Sequence, residues 1–232
     1  MSLKIKGGMM LVCIAATGTA AAEPSKFQGA FGQLGFGYES VSPTHDSSTL
    51  SVNNVSIPVS TSSSSTHNAT GTISLGWYQD VSSRFLLGAG IEYSPFAGSG
   101  GDMSVTTRVA LPGQNNVTNE YRYQKKNSYN LFLSPAVLVG SDGMAYAKIG
   151  YTGAKVTNYN SLTYNFKGYS LGLGYRHMFK GGFYGFVEGN YFDYGNQTET
   201  AVNTTARGRT LTSSGTNGLT AYNILVGVGY KF

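Results

Sequence analysis

The chain has 232 residues, 41% of them hydrophobic and only 12% charged, with 32 glycines and 17 tyrosines. So few charges exclude an ordinary water-facing surface, and 13% aromatic residues exclude a disordered chain. The formal charge of +5 falls to about +3 once Lys4 and Lys6 of the leader are set aside, and the bases are scattered, which excludes a nucleic-acid partner.

Residues 1–22 read as a leader. Lys4 and Lys6 precede the apolar run Met9–Ala16, and the small residues of "TAAA" stand before Glu23. That layout predicts a secretory signal peptide cut after Ala22, because the run is too short to span a bilayer. Cys13, the sole cysteine, lies inside it; Leu11 and Val12 stand where a lipid-attachment cysteine has small residues. Residues 23–232 are then expected to form one domain without a disulfide.

Eight stretches alternate with period 2, the signature of a half-buried strand. In the first, Leu34, Phe36 and Tyr38 oppose Gln33, Gly35, Gly37 and Glu39. Next, Ile73, Leu75 and Trp77 oppose Thr72, Ser74 and Gly76. The third sets Phe85, Leu87, Ala89, Ile91 and Tyr93 against Gly88, Gly90, Glu92 and Ser94. In the fourth, Tyr129, Leu131, Leu133, Val137 and Val139 oppose Asn130, Phe132, Ser134, Ala136 and Leu138, and Pro135 predicts a bulge because it has no amide to give a neighbour. The fifth alternates Ala145, Ala147, Ile149 and Tyr151 with Tyr146, Lys148, Gly150 and Thr152. The sixth alternates Tyr169, Leu171, Leu173 and Tyr175 with Ser170, Gly172, Gly174 and Arg176. The weaker seventh pairs Val187 and Tyr191 against Glu188 and Asn190. The eighth, Asn223–Phe232, alternates Ile224, Val226, Val228, Tyr230 and Phe232 with Leu225, Gly227, Gly229 and Lys231.

Connections alternate too. Gln79–Ser83, Gly140–Gly143 and Lys180–Gly182 are short turns; residues 41–69, 95–123, 156–166 and 195–218 are long and polar. Long loops at one end and turns at the other suit a transmembrane barrel. Ser60–Asn68 reads as a low-complexity tract, while "TLSVNNVSIPVS" alternates about Asn53 and Asn54 and predicts either an extended first hairpin or an unstructured loop.

Alternation does not say which face is buried. A soluble lipocalin-like carrier would point the apolar face inward. The outward reading is preferred, because glycines dominate the polar face and aromatics collect in two rows. Tyr38, Tyr93, Tyr129, Tyr151, Tyr169, Tyr191 and Tyr222 lie toward the loops, and Trp77, Phe85, Phe179, Phe183 and Phe232 toward the turns. In hydrocarbon every amide needs an internal partner, so the eighth strand must pair with the first and close the sheet. The fold class expected is an all-β, eight-stranded antiparallel up-and-down transmembrane barrel.

The alternating strands, the loop rhythm and the ending on Tyr230 and Phe232 resemble the small bacterial outer-membrane barrels: OmpX, Ail, the opacity proteins and the N-terminal barrel of OmpA. The resemblance spans about residues 27–232. It implies an outer-membrane location with loops extracellular and both termini periplasmic, a C-terminal signal in Tyr230 and Phe232 read by the barrel assembly machinery, and a monomer that meets outer-membrane lipid, lipopolysaccharide and host surface molecules.

Four inward charges, Glu92, Lys148, Arg176 and Glu188, form the most specific polar feature. A register centred on Gly181 puts Gly174 opposite Glu188 and makes Arg176 its diagonal neighbour, while Glu92 and Lys148 can meet only across the lumen. Buried charges need partners, so a network is expected. Its readings are a plug, a switchable ion path or a solvated lumen. Arg122, Lys125 and Lys126 at the outer end of the fourth strand read as interface anchors or lipopolysaccharide contacts.

No enzyme, cofactor or metal site is expected. His45, Asp46 and Ser47 are neighbours along a loop rather than a preorganised triad, His67 has no companion ligands, and Gly98–Asp102 is no phosphate cradle. The role expected is structural or interactive at the cell surface; a narrow porin-like channel is the alternative.

Overall fold

A computed structural model describes residues 24–45, 48–52, 55–95, 101–107, 117–158, 163–204 and 210–232. The leader with Cys13, Asp46 and Ser47, and Gly98–Gly100 lie outside the described residues.

Alternating apolar and small polar residues make every element a strand: β1 (Gly29–His45), β2 (Ser48–Val52), β3 (Val55–Ser63), β4 (Thr66–Asp80), β5 (Phe85–Ser94), β6 (Gly101–Thr107), β7 (Val117–Val139), β8 (Gly143–Asn158), β9 (Thr163–Met178), β10 (Phe183–Thr204) and β11 (Thr210–Lys231). Eight of them form a closed antiparallel ring, β1-β4-β5-β7-β8-β9-β10-β11, and β11 pairs back onto β1 from Phe31↔Lys231 to His45↔Asn217. Closure leaves no strand edge in the ring, as a hydrocarbon solvent demands.

The remaining strands lengthen the barrel. The β2–β3 ladder, Ser48↔Val59 to Val52↔Val55, keeps the register of β1–β4, Gly29↔Tyr78 to Val41↔Thr66. Likewise β3–β6 keeps the register of β4–β5. The first hairpin is thus extended as far as Val52↔Val55, Asn53 and Asn54 lie outside the described residues, and Ser60–Ser63 of the serine tract are strand. The expected loops 41–69, 95–123, 156–166 and 195–218 are in large part sheet: β10 runs to Thr204 and β11 resumes at Thr210. Backbone amides beyond the apolar belt gain less from pairing than those within it, but the register set below already aligns them, so polar sequence did not end the ladders.

At the other end the turns are tight. Val81 and Ser82 donate to the carbonyl of Phe85, and Gly181 and Gly182 adopt φ of 73° and 83° in the turn from β9 to β10, a conformation that glycine tolerates without strain. Both ends of the described chain meet here. Phe232 donates to the Ala30 carbonyl, Ser25 bonds Asp80 through its amide and hydroxyl, Lys26 pairs with Asp142, and Phe27 is buried in the mouth.

The outer face is apolar: Leu173 is 70% and Val228 61% exposed, whereas Glu92, Lys148, Arg176 and Glu188 are buried inside. A lipocalin-like carrier needs the reverse, so that alternative is overturned. The seven tyrosines and five turn-side aromatics expected in girdles all stand exposed, with Tyr93↔Tyr129, Tyr151↔Tyr169 and Tyr191↔Tyr222 directly opposite on neighbouring strands. The spans between the rows, such as Phe85–Tyr93, match the roughly 9–11 residues that a tilted strand needs to cross a bilayer.

Pro135 does not make a bulge. The β7–β8 register is unbroken from Leu133↔Ile149 to Ala136↔Tyr146, which sets Pro135 opposite Ala147. The Ser134 hydroxyl donates to the Ala147 carbonyl at 2.8 Å, taking the bond that proline cannot offer, and the Tyr78 hydroxyl lies 2.6 Å from Ser134 Oγ. The bulge in β7 falls between Lys126 and Tyr129 instead, where Asn127 has φ 46°.

Candidate functional site

The lumen is the place where polar side chains converge, and it is filled in layers. Nearest the turns, aromatic rings lie flat against the wall over glycines on the next strand: Phe31 opposite Gly76, Tyr78 opposite Gly88, Phe132 opposite Gly90, Tyr146 opposite Gly174, Tyr184 opposite Gly229 and Phe186 opposite Gly227. A Cβ on Gly174 would sit 2.4 Å from the Tyr146 ring, and one on Gly229 2.2 Å from that of Tyr184. The glycines of the inward face are therefore space for aromatic rings rather than a hollow, and the sequence carried that signal in the register between neighbours.

Arg176 sits within this layer. Its guanidinium stacks 4.1 Å from the Phe31 ring centre and 4.9 Å from those of Tyr146 and Tyr184, and its Nη2 donates to Gln33 Oε1 at 2.8 Å. Among the described residues no carboxylate is within ion-pair distance of it, so the expected pairing with Glu188 is not made, although the Glu188↔Gly174 register is as expected. Aromatic faces and an amide stabilise the cation in place of a carboxylate.

One layer further, Lys148 bridges both acids across the lumen, donating to Glu92 Oε2 at 2.9 Å and Glu188 Oε1 at 2.8 Å. Glu188 also accepts from Tyr146 Oη and Asn190 Nδ2, each at 2.8 Å, and Glu92 accepts from Ser74 Oγ at 3.1 Å. The chain thus brings three of the four expected charges together. Tyr146, Asn190 and Ser74 complete the cluster; their inward parity was visible, but their reach across the lumen was not.

Above the cluster lies a polar cavity of ≈ 10 Å³ lined in part by Glu39, Thr72, Glu92, Asn130 and Thr152. That is room for about one water. It is roofed by an ion pair that sequence reasoning missed, Lys125 Nζ to Glu39 Oε2 at 2.7 Å, set among Phe192, Tyr194, Val41 and Leu219. Glu39 was on the inward face of its stretch, but Lys125 has the parity of outward-facing Tyr129. The bulge between them shifts the register by one and turns Lys125 inward. Burial works against its charge, yet Tyr194 and Glu39 outweigh burial and hold the ammonium above the usual lysine value. Lys126 keeps the outer face; the side chain of Arg122 lies outside the described residues. Tyr230 packs edge-on against Phe183 and Phe232 at the turn-side rim.

His67 Nδ1 is 2.6 Å from the Tyr38 hydroxyl, and His177 lies between the rings of Tyr175 and Phe179. Among the described residues no group of three or more metal-ligating side chains occurs.

A closed sheet, an apolar belt between aromatic girdles and a lumen packed with paired charges define a small eight-stranded β-barrel of the outer-membrane type. Solved structures share this fold. The outer-membrane protein OprG from Pseudomonas aeruginosa is similar over 90% of this chain and 98% of its own, with 14% identity and a TM-score of 0.57. The outer-membrane protease OmpT from Escherichia coli is similar over 91% and 99%, with 12% identity and a TM-score of 0.51. At such identity the likeness is one of fold alone. No protein-family model and no curated protein sequence matches the chain.

Proposed function

We propose that the protein is a monomeric surface barrel of the bacterial outer membrane, with a structural or interaction role exerted through its outward hairpins and a lumen closed to solutes. The observation that carries this reading is the filled interior: aromatic rings and two layers of ion pairs leave a cavity of only ≈ 10 Å³ between them. The sheet that continues beyond the outer girdle supports the second half of it, since paired strands hold hairpin tips away from the lipid for host or envelope partners. On this reading the hairpins are extracellular, both termini are periplasmic, residues 1–22 are removed, the assembly machinery reads Tyr230 and Phe232, and the barrel catalyses nothing.

Recordings of the purified protein in planar bilayers test the closed lumen, with no regular conductance steps expected. Heat-modifiable gel migration of membrane fractions tests the location. A second reading, a narrow channel, draws on the polar residues that line the path from Glu92 to Glu39; reproducible unitary steps would replace the first reading with it.

A further inference from the structure

We propose that the lumen binds one water molecule as a fixed part of its structure, seated between the two ion-pair layers on Thr72, Asn130, Glu39 and Glu92. The seat lies inside the wall and is the same whichever way the barrel faces in the membrane.

Two orphaned polar atoms carry the assignment. Thr72 and Asn130 are 4% and 3% exposed, and among the described residues neither Thr72 Oγ1 nor Asn130 Nδ2 has a hydrogen-bond partner. Buried polar groups left without a partner are costly, and in folded proteins most of them find protein or water. Both residues line the cavity of ≈ 10 Å³ between the layers, which is about the space of one water. The orientation of Asn130 is set from one side. It stands directly opposite Glu92 on β5 and Thr152 on β8, and its Oδ1 accepts from Ser170 Oγ of β9 at 2.8 Å. The amide leans over Gly150 to do so, where a Cβ would come within 2.4 Å of Oδ1. Nδ2 is therefore turned back toward the β5 side, where Glu92 stands. Thr72 reaches the cavity from β4, with its hydroxyl over Gly35 of β1, where a Cβ would lie 2.7 Å away.

The donor and acceptor set selects the ligand. Glu92 uses Oε2 for Lys148 and Ser74, and Glu39 uses Oε2 for Lys125, so the Oε1 atom of each takes no protein bond among the described residues. A metal cation would meet the N–H of Asn130, and an anion would meet two carboxylates. Water both accepts and donates, so it takes the Asn130 proton, gives its own to the carboxylates, and pairs with the Thr72 hydroxyl in either sense. Seated there, it joins the pair Lys125–Glu39 to the cluster Lys148–Glu92–Glu188 in one hydrogen-bonded column.

The test uses the isotope-labelled mature barrel in phosphatidylcholine nanodiscs and reads nuclear Overhauser transfer from water to side-chain amide protons. Transfer is expected at Asn130 and not at Asn190, whose amide donates to Glu188 and Asn223. Thr72→Ile, which puts a methylene into the cavity and removes the hydroxyl, is expected to abolish the transfer at Asn130. No transfer at Asn130 in the wild type overturns the site. Transfer that survives Thr72→Ile arises from the neighbouring Ser170 hydroxyl and overturns it too. Transfer at both Asn130 and Asn190 marks a wet lumen, which replaces the single seat with the narrow channel. Insertion is read on the same samples from heat-modifiable migration; should Thr72→Ile fail to insert, crystals of the wild type decide. Density about 3 Å from Asn130 Nδ2 is expected there, and an empty cavity, or an anomalous peak in it after a rubidium soak, overturns the water.

Discussion

Replacing Lys148 by Met tests whether the lumen cluster is a structural plug. Lys148 is 2% exposed and, among the described residues, is the only cation bonded to Glu92 and Glu188. Each charge-assisted bond contributes about 1.5–3 kcal/mol, and removing one partner of a buried pair typically costs about 3–5 kcal/mol, because the orphaned charge stays buried. Here two carboxylates are orphaned at once, facing each other across the lumen. Tyr146, Asn190 and Ser74 still donate to them, which favours the lower part of that range, so the expected loss is about 3–4 kcal/mol. Urea titration of the folded barrel in detergent, followed by tryptophan fluorescence from Trp77 and by gel mobility, reads it as a shift in midpoint at constant slope. The companion variant K148M/E92Q/E188Q removes the charges but keeps the amide and hydroxyl partners, and should recover more than half of the loss. A Lys148→Met barrel within about 1 kcal/mol of wild type, or a triple variant no better than the single one, would refute the claim that ion pairing holds the lumen together.

Gly174→Ala should cost about 1–3 kcal/mol by driving a methyl into the Tyr146 ring, whereas Gly189→Ala, with nothing nearer than 3.9 Å, should stay within about 0.5 kcal/mol; equal costs would sink the ring-over-glycine packing. Ser134→Ala should lose about 1–3 kcal/mol by stranding the Ala147 carbonyl, and adding Pro135→Ala should restore it by returning an amide donor, both read by the same titration. The Lys125 ammonium, beyond the outer girdle, is held above its ordinary 10.5. Its contribution is thus fully present below that value and fades only as the pH rises past it, so the midpoint difference between wild type and Lys125→Met should shrink above about pH 10.5 and be constant between pH 6 and 9. Asp142 is held below the ordinary carboxylate range by hydrogen bonds from Lys26 and Ser141. Its tie to the N-terminal segment should persist at neutral pH and release as the pH falls below the usual carboxylate value, seen as faster amide exchange near Phe27 in acid but not at pH 7.

The membrane solvent, the faces and the closure were legible along the chain, because side-chain direction in a strand has period 2 and needs no knowledge of neighbours. Leu173, Val226 and Val228 declare lipid by parity, and the Glu188↔Gly174 register follows from a three-residue turn. What parity could not supply was any contact across the lumen. Arg176 was one diagonal step from Glu188 on the sheet, yet its guanidinium settles among four rings and Gln33, while Lys148, two strands from each acid, reaches both. Parity also failed at Lys125, where one extra residue at Asn127 reversed the face of all that preceded it. The extended hairpins were half visible, since polar residues pair as readily as apolar ones once a register is set below them. Local pattern thus determined which side of the wall each residue takes. Only the folded cylinder decided which side chains share the space within it, because those distances depend on every strand's register at once.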